Sequence, residues 1–172
     1  MQSPEVSPEA ATVLTAPEPA PRQLDPRVVT LWRAGSLVST TVMTAVLLIA
    51  GALLPFRFPF GWVAAAVATI GVAEALFWPP VKYRAWSFAV RESDLFVSHG
   101  VLWRTTSVFP LTRIQHVDTR RGPLERWLGL ARLIVYTAGV RGADLEIPGL
   151  ALAEAEALRD YLAALSGGED AV

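Results

Sequence analysis

The sequence predicts an α+β protein in two parts: a hairpin of two membrane-spanning helices, then a small strand-rich domain closed by a C-terminal helix. Three observations predict it. Residues 34–56 (AGSLVSTTVMTAVLLIAGALLPF) carry no charge, and residues 58–78 carry one ionisable side chain, Glu74. Each run is long enough to cross a hydrocarbon core of roughly 30 Å as a helix. Beyond residue 82 the apolar residues come in short runs rich in β-branched and aromatic side chains, broken by polar turns, which is strand patterning. From residue 150 to 165 the apolar period lengthens to three and four, the period of an amphipathic helix.

Composition agrees. Of 172 residues, 52% are hydrophobic and only 18% charged, and the mean hydropathy is +0.38. Such averages are unusual for a soluble domain. There is no cysteine, which excludes disulfides, thiolate chemistry and cysteine-ligated metals. The net charge is −1, unevenly spread: residues 82–141 hold ten basic and four acidic side chains, and residues 142–172 hold one basic and seven acidic.

Taken in order, residues 1–25 form a tail rich in Pro, Ala and Glu. It has no apolar period and too little apolar surface to offset the entropy of ordering, so disorder is expected. It lacks the basic start of a signal peptide. Residues 28–81 hold the two spans, about 31–54 and 60–79, with Arg57 at the tip and Pro79-Pro80 expected to end the second. Arg27 and Arg33 precede the hairpin and Lys82 and Arg84 follow it, so the positive-inside bias places both termini in the cytoplasm of a bacterial cell (inner) membrane. Trp32, Trp62, Trp78 and Trp86 sit near span ends, as interfacial tryptophans do. Small residues at four-residue spacing (Ser36, Thr40, Thr44; Gly61, Ala65, Thr69, Ala73) are expected to let the helices approach closely.

Residues 82–166 form the second part. RAWSFAV and LFVSHG flank a polar RESD turn and read as a hairpin, with His99-Gly100 marking the next reversal. VLWRTTSVFP, IQHVDT, ARLIVYTAG and ADLEI follow as strands, with Pro110 at the end of the first of these. In GPLERWLGL, Gly122-Pro123 breaks the strand. Leu124, Trp127, Leu128 and Leu130 are expected to plug the sheet, with Glu125 and Arg126 pointing outwards. Ala151, Ala155, Leu158, Leu162 and Leu165 make the apolar stripe of the last helix, which packs over an open edge or end of the sheet. Ser166-Gly167-Gly168 ends it, and 167–172 is a second disordered tail.

The stretch PLTRIQHVDTRRGPLERWLGLARLIVYTAG, preceded by a strand hairpin and followed by EIPGL and a helix, resembles the bacterial pleckstrin-homology (PH) domain of YdbS-like membrane proteins. The resemblance runs from about Lys82 to Leu165. The family layout of two membrane helices before the domain matches residues 28–81 as well. It implies a PH-like β-sandwich or barrel, with two strongly bent orthogonal sheets capped at one end by the C-terminal helix. It also implies a protein to which no enzymatic activity is assigned.

The chemical candidates are few. His116 and Asp118 alternate on one strand and share a face. With Ser98 or Ser107 they can be drawn as a hydrolytic set, but no nucleophile elbow accompanies them, so no enzyme is expected. His116 then reads as a hydrogen-bonded structural residue. Two histidines, His99 and His116, make no metal signature, and no cofactor is implied. Glu74 has two readings: an ion- or proton-handling carboxylate, or a group near the cytoplasmic end that reaches the interface or pairs with Arg33, Lys82 or Arg84. Arg113, Arg120, Arg121, Arg126 and Arg132 cluster in sequence, either as a basic surface for acidic lipid headgroups or an acidic partner, or as a solvated face. The first hairpin turn, Arg91-Glu92-Ser93-Asp94, has net charge −1. It departs from the basic turn of phosphoinositide-binding PH domains and speaks against that ligand. The expected function is a membrane-anchored, non-enzymatic interaction or scaffold module at the cytoplasmic face. Its partner would be another membrane protein or a second copy, with no nucleic acid and no identified small-molecule substrate. The alternative is a component of a small-solute or ion transport system using Glu74.

Overall fold

The computed structural model describes residues 20–53, 59–137 and 145–166. Expectations for residues 1–19, for the tip with Arg57 and for residues 167–172 lie outside the described residues. Two long helices come first, α1 (Arg27–Leu53) and α2 (Phe60–Arg84). Then follow β1 (Ser87–Val90), β2 (Asp94–His99), β3 (Thr105–Pro110), a 3-10 turn (Leu111–Arg113) and β4 (Ile114–Arg120). A short α3 (Pro123–Leu128), β5 (Leu130–Thr137), β6 (Leu145–Ala151) and α4 (Leu152–Ser166) complete the chain. The strands make two antiparallel sheets, ordered β1-β2-β3 and β4-β5-β6. This is the predicted class: an apolar helical hairpin, then a PH-like domain of two sheets with a C-terminal helix.

The sheets bury their inner faces in one core. Phe88, Leu95 and Val97 come from the first sheet, and Leu133, Val135 and Ile147 from the second. Helix α4 closes it with Ala155 and Leu162, both fully buried, and Leu158 partly so. Leu165, expected in the same stripe, stays exposed in the last turn. The first hairpin turn closes as expected, with the Arg91 amide donating to the Asp94 carbonyl at 2.8 Å.

Several expectations are corrected. The tail is ordered before residue 25: Arg22 and Phe88 exchange backbone hydrogen bonds of 2.7 and 2.9 Å, and Leu24 enters the core. The edge of β1 offers unpaired backbone groups, and the tail satisfies them. Helix α2 does not stop at Pro79-Pro80 but runs to Arg84. Pro80 has no N–H for the Leu76 carbonyl four residues back. Arg33 of α1 donates to that carbonyl instead, at 3.4 Å, so the neighbouring helix supplies what the proline removes. The α2 contact stripe is also rolled. Ala64, Ala75 and Pro79 are buried, whereas Gly61, Ala65, Thr69 and Ala73 are exposed. The α1 side holds as expected at Thr40, whose side chain lies where a Cβ on Gly71 would fall. Trp86 is not interfacial. It is buried in the sheet domain and stacks on His99 with ring centroids 4.9 Å apart.

Candidate functional site

The hairpin is locked to the sheet domain by its first turn. Val28 is fully buried and belongs to the domain core. It lies against Gly149, whose φ of +65° and lack of a Cβ allow the close approach. Asp25 accepts hydrogen bonds from Arg27 Nε (2.9 Å) and Nη2 (2.8 Å), and this partner holds its carboxyl below the usual carboxylate range. Arg27 Nη1 also donates to the Leu128 carbonyl at the end of α3, at 3.0 Å.

This joint leaves a cleft of about 790 Å³ between the hairpin and the α3–β5–β6 corner, within the size range of small-ligand sites. Helix α1 contributes Leu31, Trp32, Gly35 and Ser36 to its wall, and α2 contributes Glu74, Trp78 and Lys82. Opposite them stand Leu124 and Glu125 of α3, Arg132 of β5 and Glu146 of β6. The lining carries both signs of charge, and the tryptophans give it an amphipathic rim.

The charges on the domain side are tied together. Glu125 is 2% exposed. Its carboxylate accepts from the Gly122 amide at the start of α3 and pairs with Arg132 Nη2 at 2.7 Å. Arg132 Nη1 reaches Glu146 at 3.0 Å. Desolvation works against the charge on Arg132, but the hydrogen bonds and fields of Glu125 and Glu146 outweigh it and raise its pKa. Across the cleft, Lys82 Nζ stands 4.4 Å from the centre of the Trp32 ring, a cation–π contact. Glu74 has no hydrogen-bond or ion-pair partner among the described residues, so of the readings offered for it the pairing with Arg33, Lys82 or Arg84 does not form.

The assignments in α3 are reversed. Glu125, expected outside, is inside, and Trp127, expected to plug the sheet, is 82% exposed. A helix of six residues has one inward line; Glu125 and Leu128, three apart, occupy it. Leu124 is exposed too, while Leu130 is fully buried as expected.

The five arginines do not make one surface. Arg132 is held by two carboxylates. Arg121 Nε donates to the Leu130 carbonyl at 3.1 Å and so stitches the loop to β5. Arg120 Nη2 donates to the Tyr136 hydroxyl at 3.0 Å and lies 3.9 Å from Asp118. Arg113 and Arg126 are exposed, with no side-chain partner among the described residues. His116 is hydrogen-bonded as expected, to Asp118 at 2.8 Å, yet its side chain is 67% exposed. Ser98 lies in the first sheet, away from His116, and accepts from Arg104 and Thr106. No hydrogen bond joins Ser98 or Ser107 to a histidine among the described residues, so the drawn hydrolytic set is not assembled. No group of three metal-ligating side chains occurs among the described residues either.

A family model for the bacterial PH domain matches residues 35–166, which include most of both helices and the whole sheet domain. The chain belongs to the bacterial PH domain family. A curated relative of this bacterial PH protein is the UPF0699 transmembrane protein YdbS of Bacillus subtilis, 28% identical over 150 residues, covering 84% of this chain and 91% of that protein. No solved structure matches it. This bacterial PH protein is therefore a YdbS-like membrane protein, and its family is consistent with a non-catalytic role. The cleft was not visible in the sequence because its walls come from residues as far apart as Leu31 and Pro148. The one available signal was Glu74, a lone carboxylate in an apolar run.

Proposed function

We propose that the protein is a non-enzymatic PH-like interaction module of the bacterial cell membrane. It holds its sheet domain at the cytoplasmic face, where that domain engages another membrane protein or a second copy. The joint at Val28 and Gly149 carries this reading. A domain whose core includes the first turn of a membrane helix presents a fixed face. Fixed presentation is what a scaffold needs and what a flexible tether would not supply.

The face it offers lies on the first sheet. β3 is an edge strand. Leu102 (77%) and Trp103 (82%) stand exposed at its start, and Val108 is exposed along it. An edge strand beside exposed large apolar side chains is the feature that strand-pairing and aromatic-anchored partners use. Arg113, Arg120 and Arg126 supply exposed positive charge for an acidic partner or anionic headgroups.

Mild-detergent purification from membranes tests this, using the wild type alongside Trp103→Arg and Val108→Arg. The expected result is one membrane protein, or a second copy, that is retained by the wild type and lost from both variants. Retention of the same partner by both variants would show that the β3 face is not the contact.

A further inference from the structure

We infer that the cleft between the hairpin and the α3–β5–β6 corner binds one phospholipid whose headgroup carries a primary amine, of the phosphatidylethanolamine class. The inference goes beyond the partner reading and does not depend on it.

Its depth points to a lipid. The charge-free part of α1, residues 34–53, is long enough at about 1.5 Å per residue to account for a hydrocarbon core of roughly 30 Å. The hydrocarbon edge then falls near Gly35 and Ser36, and both line the cleft. Arg27 and Leu31 lie above that edge, with the sheet domain. The cleft therefore straddles the boundary between acyl chains and headgroups. Trp32 and Trp78 stand in its wall, with apolar bodies and polar tips suited to that depth.

Its charges select the headgroup. Three carboxylates, Glu74, Glu125 and Glu146, face two cations, Lys82 and Arg132. Arg132 is spent on Glu125 and Glu146. What remains is one carboxylate without a partner, Glu74, and one ammonium held only over a tryptophan ring, Lys82. A purely anionic headgroup would satisfy Lys82 but leave Glu74 unpaired beside a like charge. A zwitterion with a phosphate and a protonated primary amine satisfies both. Its phosphate accepts from Lys82, and its ammonium donates to Glu74 in a charge-assisted hydrogen bond. A quaternary choline ammonium has the charge but no N–H to donate.

The test is native mass spectrometry of the full chain, released from mixed micelles containing equal amounts of phosphatidylethanolamine, phosphatidylglycerol and phosphatidylcholine. The expected result is one retained phosphatidylethanolamine in preference to the other two. Glu74→Gln should weaken that retention roughly tenfold, the scale of one charge-assisted hydrogen bond, and erase the preference. Lys82→Gln should weaken phosphatidylethanolamine and phosphatidylglycerol alike. Because Glu74 has no partner to lose among the described residues, its variant should melt with the wild type; should it not fold, Glu74→Ala, which removes the same carboxylate, is read in its place. Equal retention of phosphatidylglycerol, or an unchanged preference in the glutamine variant, overturns the proposal. So does a photoreactive residue at Leu124 that captures a protein and no lipid in intact cells.

Discussion

At the scale of single residues, Glu125 and Trp127 exchange the roles that their chemistry suggests. A tryptophan is the larger apolar group, and its burial would stabilise the fold more than that of any neighbour. Here the glutamate is inside because it closes two circuits at once: it caps α3 through the Gly122 amide and neutralises Arg132. Removing it leaves Arg132 with Glu146 and solvent but strands the part-buried Gly122 amide. We expect Glu125→Ala to cost at least about 1–3 kcal/mol, the penalty for unsatisfied buried polar groups. Trp127→Ala should stay within about 0.5 kcal/mol, as exposed sites do. Thermal melts of the two full-length variants check this, and a larger loss from Trp127→Ala would restore the plug. Hydropathy alone does not say which way a six-residue helix is rolled, and the deciding partner, Arg132, lies beyond the next turn. That is why this residue pair was illegible in the sequence while the neighbouring Leu130 was not.

At the scale of elements, periodicity was a good guide to type and a poor one to contact. The two long apolar helices, the RESD hairpin and the strand-to-helix change near residue 150 were legible because each is written in local spacing. The roll of α2 was not, since small residues lie on more than one of its faces and packing chooses Ala64, Gly71 and Ala75. Nor was the passage of α2 through Pro79-Pro80, which draws on a donor from α1. The α1–β6 joint is the contact most open to test. A valine at Gly149 would need a left-handed backbone that β-branched residues avoid, and its side chain would meet Val28. Strain and overpacking together put the cost of Gly149→Val at roughly 2–5 kcal/mol. Limited proteolysis should then cut between α2 and β1 faster than in the wild type. Gly61→Ala, where a Cβ meets open space, serves as the neutral control. Equal cleavage in both would show that the joint does not hold hairpin and domain together.

At the scale of the whole molecule, the proposed function makes the hairpin and the PH-like domain one body at a membrane surface. The proposed orientation makes a direct prediction. The chain has no cysteine, so single cysteines at Ser3, Ser166 and Arg57 report cleanly. In intact cells the first two should resist a membrane-impermeant thiol reagent, and the third should label. Labelling at Ser166 would invert the topology and remove the cytoplasmic partner from consideration.

The sequence by itself determined that two helices are long and apolar enough to cross a membrane, that a PH-like α+β domain follows, and the order of its strands and capping helix. Those properties rest on run length, period and turn chemistry, which act between near neighbours. Only the tertiary structure decided what the charged residues do. It tied Arg132 and Arg121 into internal contacts, left Arg113 and Arg126 outside, and turned Glu74 into a cleft wall facing Glu125 and Glu146. The physical reason is that a side chain's role depends on the roll of its helix and on where that helix docks. Both are set by long-range packing, here by Leu24 and Val28 entering a core built from strands far along the chain.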